Sequence, residues 1–195
     1  MSIKQYEGFA PKAPSTKPDD LPAGAYEAVI KAARVEDTAY GGQRLILALD
    51  VIAGEHAGHY QKRFDYDSAN GNFTPKWKGT FRQSIPTGDG SEKDGWTRRS
   101  FEGAIWAIEQ SNPGYQWNWD EKSLTNLKVG ISVRNKEWEY NDMTGWTTEI
   151  GRLENIAEVQ AGKVKLMKDK PLPSKPNTPD APSGFTPVET DNLPF

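Results

Sequence analysis

The sequence predicts a mainly β domain, on two observations. Apolar and polar residues alternate in stretches near both ends of the chain's middle portion, and a region between them switches to four-residue spacing. Proline-rich segments flank this body on either side. Residues 1–21 read as an N-terminal arm, 22–167 as the folded domain and 168–195 as a disordered tail. Seven prolines between 171 and 195 leave that tail too little apolar surface to offset its conformational entropy.

The first strand is set by Tyr26, Ala28 and Ile30 on one face and Glu27 on the other. The parity slips near Ala32-Ala33, which predicts a bulge or bend. Gly41-Gly42 marks a hairpin turn. The second strand carries Leu45, Leu47, Leu49 and Val51 on one face, with Ile46, Ala48 and Asp50 opposite. A third strand is expected over residues 60–66, where Tyr60, Lys62, Phe64 and Tyr66 alternate with Arg63 and Asp65.

A helix is expected from Thr74-Pro75, because Trp77, Phe81 and Ile85 recur every four residues. A second helix is expected near Ser100, burying Phe101, Ala104, Ile105 and Ile108 and ending at Asn112-Pro113-Gly114. Leu127, Val129, Ile131 and Val133 then give the inward face of a fourth strand. Residues 141–145 turn the chain, and Trp146, Thr148 and Ile150 open a fifth strand that runs on towards Ile156 and Val159.

Three strands, one or two helices, then two strands is the order of an OB-like five-stranded barrel. There is no cysteine and there are only two histidines, so disulfides and thiolate or histidine metal clusters are not expected. No P-loop, nucleophile elbow or carboxylate cluster can be assembled, and no enzyme activity, metal or cofactor is expected. Asp65 and Asp67 read as solvated strand-end carboxylates, and His56 and His59 as loop residues. The opening residues lack the apolar core of a signal peptide, and no apolar run spans a bilayer. A cytoplasmic protein without a membrane partner is expected.

The net charge of -3 is segregated along the chain. Residues 59–101 hold eight cations against five anions, whereas 171–195 hold one cation against three anions. Seven Trp, seven Tyr and seven Phe make the chain rich in rings that can stack on bases. Sequence-tolerant binding of single-stranded DNA needs such rings beside cations that neutralise phosphates.

The candidate contacts follow from that need. Arg134, Lys136, Trp138 and Tyr140 project from the face of the fourth strand opposite its apolar one; Trp138 either stacks on bases or packs under a neighbouring loop. Lys62, Arg63 and Tyr66 are offered by the expected third strand. Lys76, Lys78 and Arg82 flank the expected helical stripe and either contact phosphates or form a solvated face. Trp96, Arg98 and Arg99 are read as a loop before the second helix, where the Trp either stacks on bases or anchors against the barrel.

The chain closes Glu189-Thr-Asp191-Asn-Leu193-Pro194-Phe195 after the proline-rich tail. This resembles the C-terminal tip of bacterial-type single-stranded-DNA-binding proteins, in which acidic residues precede Ile-Pro-Phe. Here Leu193 stands in place of the Ile, and only Glu189 and Asp191 supply acid. The resemblance implies that Asp191, Leu193, Pro194 and Phe195 recruit replication or recombination proteins, the terminal Phe and its carboxylate entering an apolar pocket beside a basic group. Leu21-Pro22-Ala-Gly24-Ala-Tyr26, with Leu47-Ala-Leu49-Asp-Val51-Ile52-Ala-Gly54 and Gly58, resembles phage-encoded single-strand-binding proteins with OB cores. That implies a protein coating single strands in phage DNA replication or recombination, in the host cytoplasm. The alternative is a β-rich structural or adaptor protein of a multiprotein assembly, with its aromatics as interface anchors and no nucleic-acid binding.

Overall fold

In the computed structural model, which describes residue 7 and residues 16–39, 41–70 and 74–173, five antiparallel strands form one sheet in the order β3-β2-β1-β4-β5. β1 (Gly24–Asp37) is central and long. It pairs first with β4 (Lys128–Tyr140) and then with β2 (Gln43–Val51). The register shifts between Ile30 and Ala32, where the sequence pattern slips. The bulge lets one strand turn its apolar residues inward on both sides of the bend. Gly41, at φ 79°, lets the β1–β2 connection close tightly, with the Thr38 backbone N donating to the Gly42 carbonyl.

Two assignments made from the sequence are corrected. The expected third strand over residues 60–66 is a helix, α1 (His59–Ala69). Tyr60 and Phe64 lie one turn apart, and Tyr60 is buried in the core while Phe64 meets the Trp77 ring. The expected helix around Trp77, Phe81 and Ile85 is instead the approach to a strand, β3 (Thr80–Ser84). Phe81 and Gln83 alternate inward, and β3 pairs with β2 from Ala48↔Thr80 to Arg44↔Ser84. Gly79 is the reason the chain can approach there: a Cβ would stand 2.3 Å from the Leu49 carbonyl oxygen and 2.4 Å from the Tyr60 ring.

α2 (Glu92–Ser111) starts earlier than expected, so Trp96 belongs to a helix and not to a loop. Ser91 caps it by accepting from the Asp94 backbone N. The buried Asp94 carboxylate in turn accepts from the backbone N–H groups of Thr87 and Gly88, at 2.6 and 3.2 Å, tying the loop after β3 to the helix start. At the other end, the Asn112 side chain donates to the Lys128 carbonyl and accepts from the Lys128 backbone N. This clamps the helix to the first residue of β4. A 3-10 turn (Glu121–Leu124) lies between them.

β5 (Met143–Glu154) returns from β4 through a two-residue turn at Asn141-Asp142, shorter than expected. Both residues have positive φ, as a type I′ hairpin turn requires. The chain does not continue as strand through Ile156 and Val159; it forms a short helix, α3 (Ile156–Gln160), capped by Asn155. Val159 packs on Gly130, where β4 has no side chain.

The core lies between the sheet's inner face and α2. It joins Ala28, Ile30, Leu47, Leu49, Val129 and Ile131 to Phe101, Ala104 and Ile108. The sheet curls so that its two edge strands, β3 and β5, touch, although the strand pairings do not join them. Leu21 is also buried, and Lys170 pairs with Lys136 of β4, so both flanks of the domain pack onto it. No helix among the described residues is long and apolar enough to cross a membrane.

Candidate nucleic-acid interface

The β4–β5 hairpin extends beyond the start of β1 and so leaves the sheet as a two-stranded ribbon. Alternation places Arg134, Lys136, Trp138 and Tyr140 on one face, as the sequence predicts, opposite Glu149, Thr147, Gly145 and Met143 of β5. Trp146, across from Glu137, lies on the other face. Tyr140, Met143 and Trp146 are all well exposed.

Glu149 organises the charge on this ribbon. Arg134 donates to its Oε1 twice, at 2.7 and 3.0 Å, while Lys136 lies 3.2 Å away and Lys170 3.3 Å. Partial burial would push this carboxyl up; the hydrogen bonds from Arg134 and Lys136 and the charge of Lys170 outweigh it and hold the group below the ordinary value. One anion among three cations leaves the face positive.

Lys170 arrives there by pairing with the free edge of β4. Its backbone N donates to Asn135 and its carbonyl accepts from Glu137, both at 2.9 Å. Asp169 accepts from the Asn135 side chain, and the Leu172 backbone N donates to the Glu137 carboxylate.

The other candidates are distributed over separate elements. Lys62 and Tyr66 lie one turn apart on α1, and the Lys62 ammonium donates to the Ala57 carbonyl. Arg63 turns inward, with only 12% of its side chain exposed. It donates to the Pro18 carbonyl and pairs with Asp20 and Asp67, so its contacts hold the N-terminal flank against α1. Lys76 and Lys78 are exposed before β3, and Arg82 is exposed on its outer face. On α2 the Arg99 guanidinium sits 4.5 Å over the Trp96 ring, a cation–π pair, and Arg98 lines a cavity together with Phe101, Glu102, Trp117 and Trp119. The tip residues Asp191, Leu193, Pro194 and Phe195 lie outside the described residues.

Two features were missed in the sequence. The first is a row across three strands, Arg34–Ile46–Arg82, flanked by Arg44. It puts three guanidinium groups on the outer face around an almost fully buried isoleucine. Arg34 pairs with Glu36 two residues along. The β1–β2 register sets Arg34 beside Ile46 and the β2–β3 register adds Arg82, which the misread β3 concealed.

The second is the pair Trp106 and Trp119. Trp106 stands on the outer side of α2, and Trp119 is 73% exposed with its ring stacked on Phe101 at 6.1 Å and 19°. Trp119 has φ 67°, a left-handed conformation that costs a bulky residue about 1–3 kcal/mol. Asn118 and Asp120 hold it there, each carboxyl or amide oxygen accepting a backbone N–H two residues on.

Among the described residues no group of three metal-ligating side chains comes together. No protein-family model matches the chain, and no curated protein does either.

Proposed function

We propose that this protein binds single-stranded DNA with little regard to sequence, through an OB-like barrel. The observation that carries the reading is the placement of its tryptophans. Five of seven, Trp96, Trp106, Trp119, Trp138 and Trp146, are exposed. Large rings normally go inside, and rings left in water mark a surface that something covers. Here cations stand beside them: Arg99 with Trp96, Arg98 with Trp119, and Arg134 and Lys136 with Trp138. Stacking planes next to phosphate-neutralising groups are what a single strand needs.

The strand order supports the barrel. β1 is shared between β2 and β4, the sheet edges β3 and β5 touch, and a helix joins the third strand to the fourth. An OB-fold has this plan and binds oligonucleotides with the loop between its last two strands, which here is the β4–β5 hairpin. The tip resemblance supports a role in phage DNA replication or recombination, with Asp191, Leu193, Pro194 and Phe195 recruiting partner proteins.

The test is a titration of the full chain with poly(dT) and with matched duplex, at low and high salt, following tryptophan emission. Preferential binding to the single strand is expected, with quenching and a log–log salt slope of roughly -0.7 per phosphate contacted. No binding at low salt would remove the reading and leave a protein-interaction module.

A further inference from the structure

We propose that two copies of this chain pair through the outer edge of β5, antiparallel and about a twofold axis centred on Trp146. The pairing is argued from the backbone and does not depend on the single-strand reading above.

The β4–β5 ladder fixes which backbone groups point outward. In an antiparallel pair, alternate residues turn their N–H and C=O towards the partner strand, and those between turn theirs away. Asn135 and Glu137 of β4 turn theirs away, since both bond the Lys170 backbone. Their partners on β5 are Thr148 and Trp146, and Thr144 follows in the same phase. These three residues therefore direct their N–H and C=O groups to the far edge of β5. Among the described residues no backbone group bonds them there. The Asp20 carboxylate accepts from the Thr147 hydroxyl, a side-chain contact that uses none of these groups. β3 meets β5 further along, where Phe81 and Gln83 line one cavity with Gly151 and Leu153.

The two edges of the ribbon differ. The β4 edge is covered by the chain's own residues 170–172. The β5 edge has none of the devices by which folded chains guard a free strand: no lysine, proline or bulge falls within Met143–Thr148, and the run carries no charge. Three threonines and a tryptophan give it a strong strand preference. Another strand completes such an edge, and a second copy fits on two counts. The neutral run sets no like charges opposite each other, because Glu149 and its cations lie outside the paired span. The outward groups are also spaced symmetrically about Trp146. A twofold axis there sets Trp146 against its own counterpart, and Thr144 against Thr148 in both directions. Each of these facing pairs closes two backbone hydrogen bonds. Trp146, 53% exposed on the face opposite Arg134, Lys136 and Trp138, gains the other copy's ring beside it.

The axis stands perpendicular to the sheet, as any twofold relating neighbouring antiparallel strands must. The cation–aromatic faces of the two copies then lie on the same side of one four-stranded ribbon. The paired span is short against a standard interface of about 1,600 Å², so the dimer is weak and concentration-dependent.

The test is sedimentation velocity of the full chain without DNA, over a concentration series reaching the submillimolar range, with circular dichroism checking each fold. A monomer–dimer equilibrium is expected. Thr148→Pro removes an outward N–H that gives β4 no bond, so it should keep the fold. It should weaken dimerisation about tenfold, because the symmetry removes one hydrogen bond from each copy. Trp146→Lys and Trp146→Glu should each be monomeric, since the axis sets like charges opposite each other. Their equimolar mixture should dimerise again, a rescue that requires residue 146 to face itself. If Thr148→Pro fails to fold, the charged variants and their mixture decide alone. A parent that stays monomeric throughout overturns the proposal. A dimer undiminished in Thr148→Pro and in both charged variants overturns it too, by placing the contact elsewhere. So does a mixture that stays monomeric, which removes Trp146 from the axis.

Discussion

The indole of Trp138 lies across the Cα of Gly145, its partner on the neighbouring strand. A Cβ at residue 145 would stand 2.7 Å from the ring. The glycine gives the tryptophan a flat bed and fixes which way the ring faces. Gly145→Ala should therefore displace Trp138 and leave the five-stranded sheet folded. The expected outcome is a red-shifted emission and a several-fold loss of poly(dT) affinity, with the melting temperature moving by only a few degrees. A variant with native affinity would show that the orientation of this ring is immaterial.

Gly79 presents the opposite case, a close approach inside the fold. Gly79→Ala must push its methyl group against the Leu49 carbonyl and the Tyr60 ring. The backbone cannot yield there without disturbing the β2–β3 pairing, since the Leu49 N–H donates to the Gly79 carbonyl at 2.7 Å. A loss of about 1–3 kcal/mol or more is expected in urea denaturation.

Asp94→Ala should cost about 2 kcal/mol, because it orphans the Thr87 and Gly88 donors and frees the loop after β3. The N-cap made by Ser91 remains, so the helix itself should persist in far-ultraviolet circular dichroism. A stability unchanged within error would show that water replaces the carboxylate at no cost.

The pH dependence follows from Glu149. Its carboxyl is held below the ordinary glutamate value near 4.5. A depressed folded-state value stabilises the fold fully above that ordinary range, and the contribution is lost as pH falls through the lowered value. Glu149→Gln should flatten the acid limb of the stability curve. It should also bind poly(dT) more tightly at low salt, because Arg134, Lys136 and Lys170 then face the strand without an internal competitor. An unaltered affinity would detach this cluster from DNA binding.

Strands with a strict two-residue period were legible in the sequence. Leu45, Leu47, Leu49 and Val51 read correctly, as did Val129, Ile131 and Val133, and the slip at Ala32-Ala33 foretold the bulge. The short segments failed where two periods fit equally well. Residues 60–66 alternate in polarity, yet Tyr60 and Phe64 also lie one helical turn apart, and burial of Tyr60 decided for the helix. Phe81 and Ile85 fit a helical stripe, but pairing with β2 decided for the strand. The hairpin face was legible because alternation alone defines it. The arginine row around Ile46 and the cavity beside Trp119 were not, because each joins residues that only tertiary pairing brings together.

The parallel pairing of Lys170 with β4 places the last described residues, up to Pro173, at the edge of the hairpin that carries Arg134, Lys136 and Trp138. On the proposed reading, a partner held by Asp191, Leu193, Pro194 and Phe195 would be tethered to the same domain that holds the strand. Its effective concentration at the strand would then be set by linker length instead of by its abundance in solution. The same attachment makes the linkage mechanical. A pull applied from the C-terminal side of Pro173 loads the Leu172–Glu137 bond first and then the Lys170 backbone bonds to Asn135 and Glu137, at the margin of the sheet next to the cation–aromatic face.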